Sequence, residues 1–459
     1  MALRTPSPTS PTSPAASGPP GHRAAARRGR IARRLSVSTT PTRLRLLMVG
    51  LLLASLAWGA VGAWTVFQHT SAAQNVVSTS EPLSLNAQQM YRSLSDADVT
   101  ATTAFLTGPD ESLADRQRYT ADIDQAATDL SNLKGAATSG SNQQLLASLA
   151  AISTALPVYT GYVSQAQTEY SLGYLLTGGS FMQDASEVMH LQLLPAARAI
   201  YAQENAGLTA ASARATGLPW IAVVVVLAIG IAVVLFRVQR WLWRRTHRRI
   251  NYGLAVATVV LVVGVLWLIV AFSVARADLR QGVGHGSAPA ETLAQADIDA
   301  QQIRGDEILN LISRSGNASF RQDYQSVRGQ LGPGPGTLLT EAAGSSPGGA
   351  GAQWASAAAH DVQAWYAVND QVYRLDSESR YPTETQLVIG TGPTSSAAGF
   401  GRVETDLSHA IAADQVVFHT NATAGGNAFT GLEAGVIVAA LLMALGCAWG
   451  LSVRLAEYR

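Results

Sequence analysis

Four long apolar segments without a charged side chain constrain this chain more than any other feature of its sequence. They are residues 46–67, 220–236, 252–275 and 435–453. An α-helix needs about 20 apolar residues to cross about 30 Å of hydrocarbon. The second segment reaches that length when it begins at Gly217, because Pro219 costs little in the first turn of a helix. We therefore predict four transmembrane helices, at 46–67, 217–236, 252–275 and 432–453.

The distribution of charge predicts the orientation of these helices. Residues 1–45 carry nine arginines and no acid, and residues 237–251 carry six arginines and no acid. Residues 69–216 hold six basic and thirteen acidic residues, and residues 276–431 hold nine and sixteen, so each long segment has a net charge of −7. Short basic segments stay in the cytoplasm. We therefore predict a multi-pass plasma-membrane protein with cytoplasmic N- and C-termini and two long extracytoplasmic segments.

The first apolar segment also admits a second interpretation, as a cleaved signal peptide. Its basic approach and the small residues at 60–63 suit cleavage. Its 22 apolar residues, however, exceed the usual signal-peptide core of about 7–15 residues. We therefore favour a retained transmembrane helix.

Both long segments have the apolar spacing of helices rather than of strands. Apolar residues recur every three or four positions, which lines one face of a helix. The clearest stripes are Leu145, Leu149, Ile152, Leu156, Tyr159 and Val163 in the first segment, and Trp354, Val362, Trp365, Tyr366 and Tyr373 in the second. We predict an all-α membrane protein with two extracytoplasmic, four-helix-bundle-like domains, at 68–216 and 276–431.

The two predicted bundles have a similar internal layout, which indicates a duplicated unit. Each has a Gly-containing break after its first helix, and we expect the last helix to open near Phe181 in one and near Phe400 in the other. In the second, the glycine-rich stretches 332–351 and 390–399 predict flexible interruptions.

The two ends of the chain offer no core-forming sequence. Residues 1–45 are rich in Ser, Thr, Pro and Arg, which predicts a disordered basic cytoplasmic tail, and residues 454–459 form a short cytoplasmic tail. Five Ser-Pro or Thr-Pro pairs, at 5, 7, 10, 13 and 40, make phosphorylation of the first tail one interpretation. An unregulated low-complexity tail is the simpler one.

The sequence contains no motif for catalysis, for a cofactor or for a metal ion. The histidines show none of the i, i+4 spacing of a helical zinc site. Carboxylate pairs occur at Asp110–Glu111, at Asp122/Asp124 and at Asp306–Glu307. On amphipathic helices we expect such pairs on solvated faces or, in a first turn, as partners of the helix dipole. The spans lack the charged residues of a proton or ion pathway. We expect neither an enzyme nor a transporter.

The basic linker 237–251 admits two interpretations. One is a topology signal whose arginines contact lipid headgroups, at about 1 kcal/mol each. The other is a docking surface for an acidic cytoplasmic protein; nucleic acid is not an expected partner. The candidate contact residues are Arg237, Arg240, Trp241, Trp243, Arg244, Arg245, Arg248 and Arg249.

The order of spans and loops resembles the GlnX family of actinobacterial membrane proteins over nearly the whole chain. The local resemblance lies in the linker 243–254, Trp-Arg-Arg-Thr-His-Arg-Arg-Ile-Asn-Tyr-Gly-Leu, and in the helix 296–314 with its Asp306–Glu307 pair. The proline-rich residues 1–20 depart from the family plan. The resemblance implies a partner solute-binding lipoprotein that senses glutamate or aspartate, and a cytoplasmic partner, the serine/threonine protein kinase G. It supplies no residue-level site.

Three functional hypotheses follow. The first is a signal-transducing membrane sensor, because about 300 residues outside and few inside suit a receptor whose output goes to a separate protein, as in receptors with four-helix extracytoplasmic domains. The second is a direct small-ligand receptor, in which Arg92, Arg116 and Arg118 anchor a carboxylate. The third is a structural envelope scaffold. Small residues near Gly50, Gly59 and Gly62 allow close helix packing, which leaves a homodimer open.

Overall fold

The computed structural model describes residues 40–107, 113–137, 142–217, 219–246, 251–313, 318–345 and 348–456. Over these residues every regular element is a helix, as predicted, and there is no strand. The helices are α1 (Thr40–Asn75), α2 (Glu81–Thr107), α3 (Leu113–Ala137), α4 (Gln143–Ser171), α5 (Leu175–Val188), α6 (Leu194–Thr216), α7 (Pro219–Thr246), α8 (Tyr252–Gly282), α9 (Ala288–Ser313), α10 (Ala318–Leu331), α11 (Leu338–Ser345), α12 (Ala350–Ser377), α13 (Tyr381–Ile389), α14 (Ser396–Asn427) and α15 (Leu432–Ala456). Of the tail predicted to be disordered, 1–45, residues 1–39 lie outside the described residues, as do the Asp110–Glu111 pair, Arg248 and Arg249. The prediction is wrong for residues 40–45, because α1 begins at Thr40.

The four predicted spans lie in α1, α7, α8 and α15, which pack into one apolar bundle. Helix α15 packs against both α1 and α8, and α7 packs against the same two helices. Small residues permit the close approaches: a Cβ added at Gly59 would lie 2.3 Å from Ala440 Cβ, and one added at Gly253 would lie 2.5 Å from the backbone of Gly450. Gly59 thus serves packing within the chain rather than a second copy.

Five described helices, rather than four, are long and apolar enough to cross a membrane by length and composition. Four of them contain the predicted spans. The fifth, Gln143–Ser171, is α4, which the sequence analysis assigned to the first bundle. Its apolar stripe is buried among the other helices of that bundle, with Ile152 and Tyr159 fully inaccessible. These contacts satisfy its apolar face without lipid.

Helices α2 to α6 form the first bundle. Asn142 caps α4 by accepting a hydrogen bond from the Gln144 amide, at 3.1 Å. The stripe predicted on α4 packs against Met182, Met189 and Leu193 of the returning helices. The last helix opens at Leu175, earlier than expected near Phe181, since a tight turn at Gly173, with φ of 85°, reverses the chain immediately after α4.

Helices α9 to α14 form the second bundle, whose core lies around Trp365, Val362 and Leu407. Its last helix opens at Ser396, close to the predicted Phe400, and the Ser395 hydroxyl caps it. The stretch 332–351 was expected to be a flexible interruption, but it contains α11, which buries Leu339 and Ala342 in the core. Those two apolar residues decide the conformation despite the surrounding glycines.

The first helix of each bundle continues a membrane helix without a break. A single π-helical turn, Val76–Ser80, connects α1 to α2, and another, Val283–Ser287, connects α8 to α9. At the second, Gly286 permits contact with α14, because a Cβ there would lie 2.6 Å from the Phe418 amide nitrogen. The α6–α7 connection differs: Gly217 has an extended backbone, with φ of −63° and ψ of 141°, and interrupts the helix.

The predicted linker 237–251 is largely helical, because α7 continues to Thr246. Neither Gly nor Pro interrupts residues 220–246 apart from Gly230. Within this extension Val238 and Leu242 are buried against the membrane bundle, whereas Arg237, Arg240 and Arg244 are exposed. The three arginines therefore share one helix face, at i, i+3 and i+7 spacing.

Candidate functional site: the charge layer between the two bundles

The two bundles meet along their first helices, α2 and α9, which lie side by side. Apolar residues of α9, Ala294 and Ile298, join the core of the first bundle. Between these apolar contacts lies a layer of charged and polar side chains, which we call the charge layer. It comprises Arg92, Asp96, Arg118, Asp297, Gln301 and Glu404.

Arg92 of α2 lies at the centre of the charge layer. Its Nη2 donates a hydrogen bond to Glu404 Oε1 of α14, at 3.1 Å. Its Nε lies 4.0 Å from Asp96 Oδ2 on its own helix and 4.0 Å from Asp297 Oδ2 on α9. One guanidinium therefore connects three carboxylates that belong to three helices of both bundles.

Arg118 and Gln301 complete the layer. Arg118 Nη2 of α3 lies 4.0 Å from Asp96 Oδ2 and 3.8 Å from Glu404 Oε1. Gln301 Nε2 donates to Asp96 Oδ1 at 2.8 Å, and Gln301 Oε1 accepts from Ser95 Oγ at 3.3 Å. Asp96 is thus held from both bundles through both of its oxygens.

Burial of the carboxylates sets the electrostatics of the charge layer. Burial raises the pKa of Asp96; the charge of Glu404 adds to this rise, while Arg92 and Arg118 oppose it. Burial likewise raises the pKa of Asp297 to about 6, with Arg92 lowering it. Burial alone would lower the pKa of Arg92, but the carboxylates of Asp297, Glu404 and Asp96 outweigh it and raise this pKa overall. Asp96 and Asp297 therefore titrate closer to neutrality than solvated aspartates do.

A second polar group surrounds Asp98, two residues further along α2. Its Oδ1 accepts a hydrogen bond from Ser186 Oγ at 3.3 Å, and its Oδ2 lies 3.3 Å from His190 Nε2. His190 belongs to a π-helical turn, Met189–Leu193, that joins α5 to α6. Burial by itself lowers the pKa of His190, but Asp98 and then Asp306 outweigh it and raise the pKa. This turn of the first bundle therefore faces a carboxylate from each of α2 and α9.

A third polar group lies inside the second bundle, around Glu307. Arg304 Nη1 donates to Glu307 Oε2 at 2.6 Å, and Ser396 Oγ donates to the same oxygen at 2.6 Å. Trp365 Nε1 donates to Ser396 Oγ at 2.8 Å. The prediction that Asp306 and Glu307 occupy a solvated face is wrong, since they are only 5% and 1% exposed. Helix α9 is covered by the first bundle on one side and by α13 and α14 on the other, which leaves no solvated face there.

The structure brings together two of the three arginines predicted as ligand anchors. Arg92 and Arg118 share Glu404 and Asp96, so a carboxylate ligand would have to compete with these internal partners. Arg116 is exposed and lies outside the charge layer. Of the predicted linker contacts, Arg237, Arg240, Trp243 and Arg244 are exposed on α7, Trp241 is half-buried and Arg245 lies near the helix end.

Sequence reasoning did not find Asp96, Asp297, Gln301 or Glu404. A signal was present, because α2 carries Asp-Ala-Asp at 96–98 and α9 carries Asp-Ile-Asp at 297–299. Two carboxylates two residues apart cannot both lie on a narrow exposed face of a helix. The pairing of these motifs depends on how the bundles meet, which no periodicity within one helix reveals.

Comparison with known proteins bears on the first bundle. Residues 72–213, about a third of the chain, match a family model described as an actinobacterial sensor domain. No curated protein and no solved structure matches the chain. Residues 72–213 are thus similar to an actinobacterial sensor domain, and the several long apolar helices of the chain indicate a membrane protein. The matched segment begins in α1 and ends in α6, so it contains Arg92, Asp96, Asp98, Arg118 and His190.

Proposed function

We propose that this protein is a transmembrane sensor that relays an extracytoplasmic amino-acid signal, received through a solute-binding protein, to a cytoplasmic serine/threonine kinase. The observation that carries the proposal is the position of the sensor domain. Its first helix is continuous with α1 through a single π-helical turn, and the same helix supplies Arg92 to the charge layer. A change in how the bundles meet would thus act directly on a membrane helix.

The charge layer supplies the two-state element that such a sensor needs. A ligand or partner shifts an equilibrium only by its differential affinity for the two states. Packed interfaces are bistable rather than continuously deformable, and their salt bridges exchange partners when bundles rotate or slide. Arg92, with carboxylates of α2, α9 and α14 around it, can exchange one for another when α2 moves relative to α9. Binding at either bundle would then shift α1 relative to α8.

The cytoplasmic end of α7 suits the output half of the proposal. Arg237, Arg240 and Arg244 present one basic face, with Trp243 exposed beside it. An acidic surface on a kinase or an adaptor would complement this face, and association between complementary charges is fast and sensitive to salt. The second interpretation of the same face, contact with anionic headgroups, predicts binding to vesicles instead.

The proposal is tested in actinobacterial host cells that lack the gene. Serine/threonine phosphorylation is compared after addition of glutamate or aspartate in the deletion strain and in strains restored with the wild type, Glu404→Gln or Glu378→Gln. Glu404 lies in the charge layer, whereas Glu378 is exposed at the turn after α12. We expect the deletion and Glu404→Gln to alter the response and Glu378→Gln to leave it unchanged. An unaltered response in the deletion strain would refute the relay.

A further inference from the structure

The interruption between α6 and α7 contains a cavity that the sensing proposal does not use. The four connections between the membrane helices and the bundles lie close together at His69, Gly217, Phe272 and Phe429. Here His69 Nδ1 donates to the Ala215 carbonyl oxygen at 3.0 Å, which fixes the tautomer, because a carbonyl only accepts. The rings of His69 and Phe272 lie 5.1 Å apart, and those of Phe272 and Phe429 lie 5.0 Å apart. These three rings form an aromatic cluster that connects α1, α8 and the α14–α15 turn.

A cavity of about 160 Å³ lies beside this aromatic cluster, where α6 ends at Gly217. Its walls are apolar and come from Ile221 of α7, Ile269 and Phe272 of α8, and Phe429. Apolar cavities of this size, lined by Ile and Phe, take up apolar groups rather than water. The cavity is present because α6 ends at Gly217, which has no side chain to fill it.

One charged side chain lines the same cavity. Arg276 lies four residues after Phe272 on α8, so it follows Phe272 on the same helix face, toward the bundles. Its guanidinium is half-buried, and the inaccessible Nε has no hydrogen-bond partner among the described residues. An unpaired buried N–H is destabilising, so an acceptor from outside the chain would be stabilised there. Phosphate matches a guanidinium because two of its oxygens can accept parallel hydrogen bonds.

We propose that this cavity is a binding site for an anionic phospholipid, with its phosphate on Arg276 and an acyl chain against Ile221, Ile269 and Phe272. An apolar wall that ends in a single arginine, at the level where predicted spans meet solvent, matches one amphiphile with a charged head. A guanidinium at the edge of an apolar cavity between membrane helices supplies the cation that such a headgroup binds. The lipid would lie beside the end of α6 at Gly217, next to the end of the sensor domain.

The site is tested on the full chain in detergent, by counting bound phosphatidylglycerol with native mass spectrometry. Phosphatidylcholine and glycerol phosphate serve as the zwitterionic and the chain-free probes. We expect one phosphatidylglycerol per chain, bound more tightly than phosphatidylcholine, and no binding of glycerol phosphate. Arg276→Gln should weaken the affinity about fivefold, which corresponds to about 1 kcal/mol for one arginine. The matched control is Arg280→Gln, one turn further along α8 and exposed, which should bind as the wild type does.

A second variant tests the apolar half of the site. Ile221→Trp fills the cavity and leaves Arg276 in place, so it should abolish the bound lipid. Equal losses in Arg276→Gln and Arg280→Gln would indicate surface attraction only and overturn the proposal. So would unchanged binding in Ile221→Trp, or binding of glycerol phosphate that depends on Arg276. Thermal unfolding of each variant identifies any that fails to fold. If one of Arg276→Gln and Ile221→Trp does not fold, the lipid binding of the other tests the proposal. Kinase signalling is not part of the readout, so this result is independent of the proposed relay.

Discussion

The two helical bundles outside the predicted spans have a similar plan but different interiors. The first has a core of apolar residues on a few long helices, with Leu149, Ile152 and Met182 fully buried. The second divides the same length among six helices, and its interior includes the ion pair of Arg304 with Glu307. A buried ion pair holds one geometry because its desolvation must be offset by well-aligned partners, whereas apolar contacts are not directional. The geometry of the second bundle should therefore depend more strongly on this single ion pair than that of the first depends on any one apolar contact.

The largest expected effect breaks the polar interior of the second bundle. Arg304→Ala leaves Glu307 buried without its cation, which should cost about 3–5 kcal/mol of unfolding free energy. Hydrogen exchange should show the loss of protection in α9, α12 and α14 first. Arg380→Ala is the control, because its ion pair with Glu378 is exposed, and it should change stability by less than about 0.5 kcal/mol. Equal effects of the two substitutions would contradict the described interior.

The same comparison is sharpened by opening a cavity in the first bundle. Ile152→Ala removes a fully buried side chain of α4 and should cost about 2–5 kcal/mol. The loss of exchange protection should stay within α2 to α6. Leu146→Ala, on the exposed side of the same helix, should be nearly neutral. A neutral Ile152→Ala would mean that α4 does not pack in this bundle, as a membrane-spanning α4 would require.

Substitution of an arginine between the bundles should cost more when its side chain is more buried. Arg92 is 22% exposed and connects three carboxylates, whereas Arg118 is 54% exposed. Arg92→Gln should therefore cost about 2–3 kcal/mol in the coupling of α2 to the second bundle, mainly through Glu404 of α14. Arg118→Gln should cost less than about 1 kcal/mol, as exposed pairs do. A double-mutant cycle with Glu404→Gln measures the coupling, and additive effects of Arg92→Gln and Glu404→Gln would refute the contact.

The last comparison concerns pH. Burial raises the pKa of Asp297 from about 3.8 to about 6, so the folded protein holds a proton that the unfolded chain releases between these values. The stability contributed by protonated Asp297 is therefore fully present below about pH 4 and is lost as pH rises through 6. The raised pKa of His190 acts in the same direction at higher pH, since its charged form is favoured by folding. Asp297→Asn should flatten the dependence between pH 4 and 6 in thermal unfolding scans, while Asp124→Asn, on an exposed face, should not. A steeper dependence in Asp297→Asn would show that the sign is wrong.

Much of the fold could be predicted from the sequence, because it depends on local patterns. Apolar length identified the segments that lie in α1, α7, α8 and α15, and helical spacing identified the buried face of α4 from Leu145 to Val163. The errors have a common cause. Each of two wrong predictions was made from the composition of the segment alone. These were the solvated face at Asp306–Glu307 and the flexible stretch at 332–351. In each case a neighbouring helix supplied the partners: Ser396 for Glu307, and the core of the second bundle for α11.

The sequence by itself determined the helical class of this protein, its long apolar segments and the opposite charges of its short and long connections. Only the tertiary structure decided which charges meet. Arg92 is 205 residues from Asp297 and 312 from Glu404 along the chain, and they lie together because α2, α9 and α14 pack side by side. Helical periodicity reports which face of a helix is buried. It does not report which helix covers that face, since many apolar partners would satisfy it equally well.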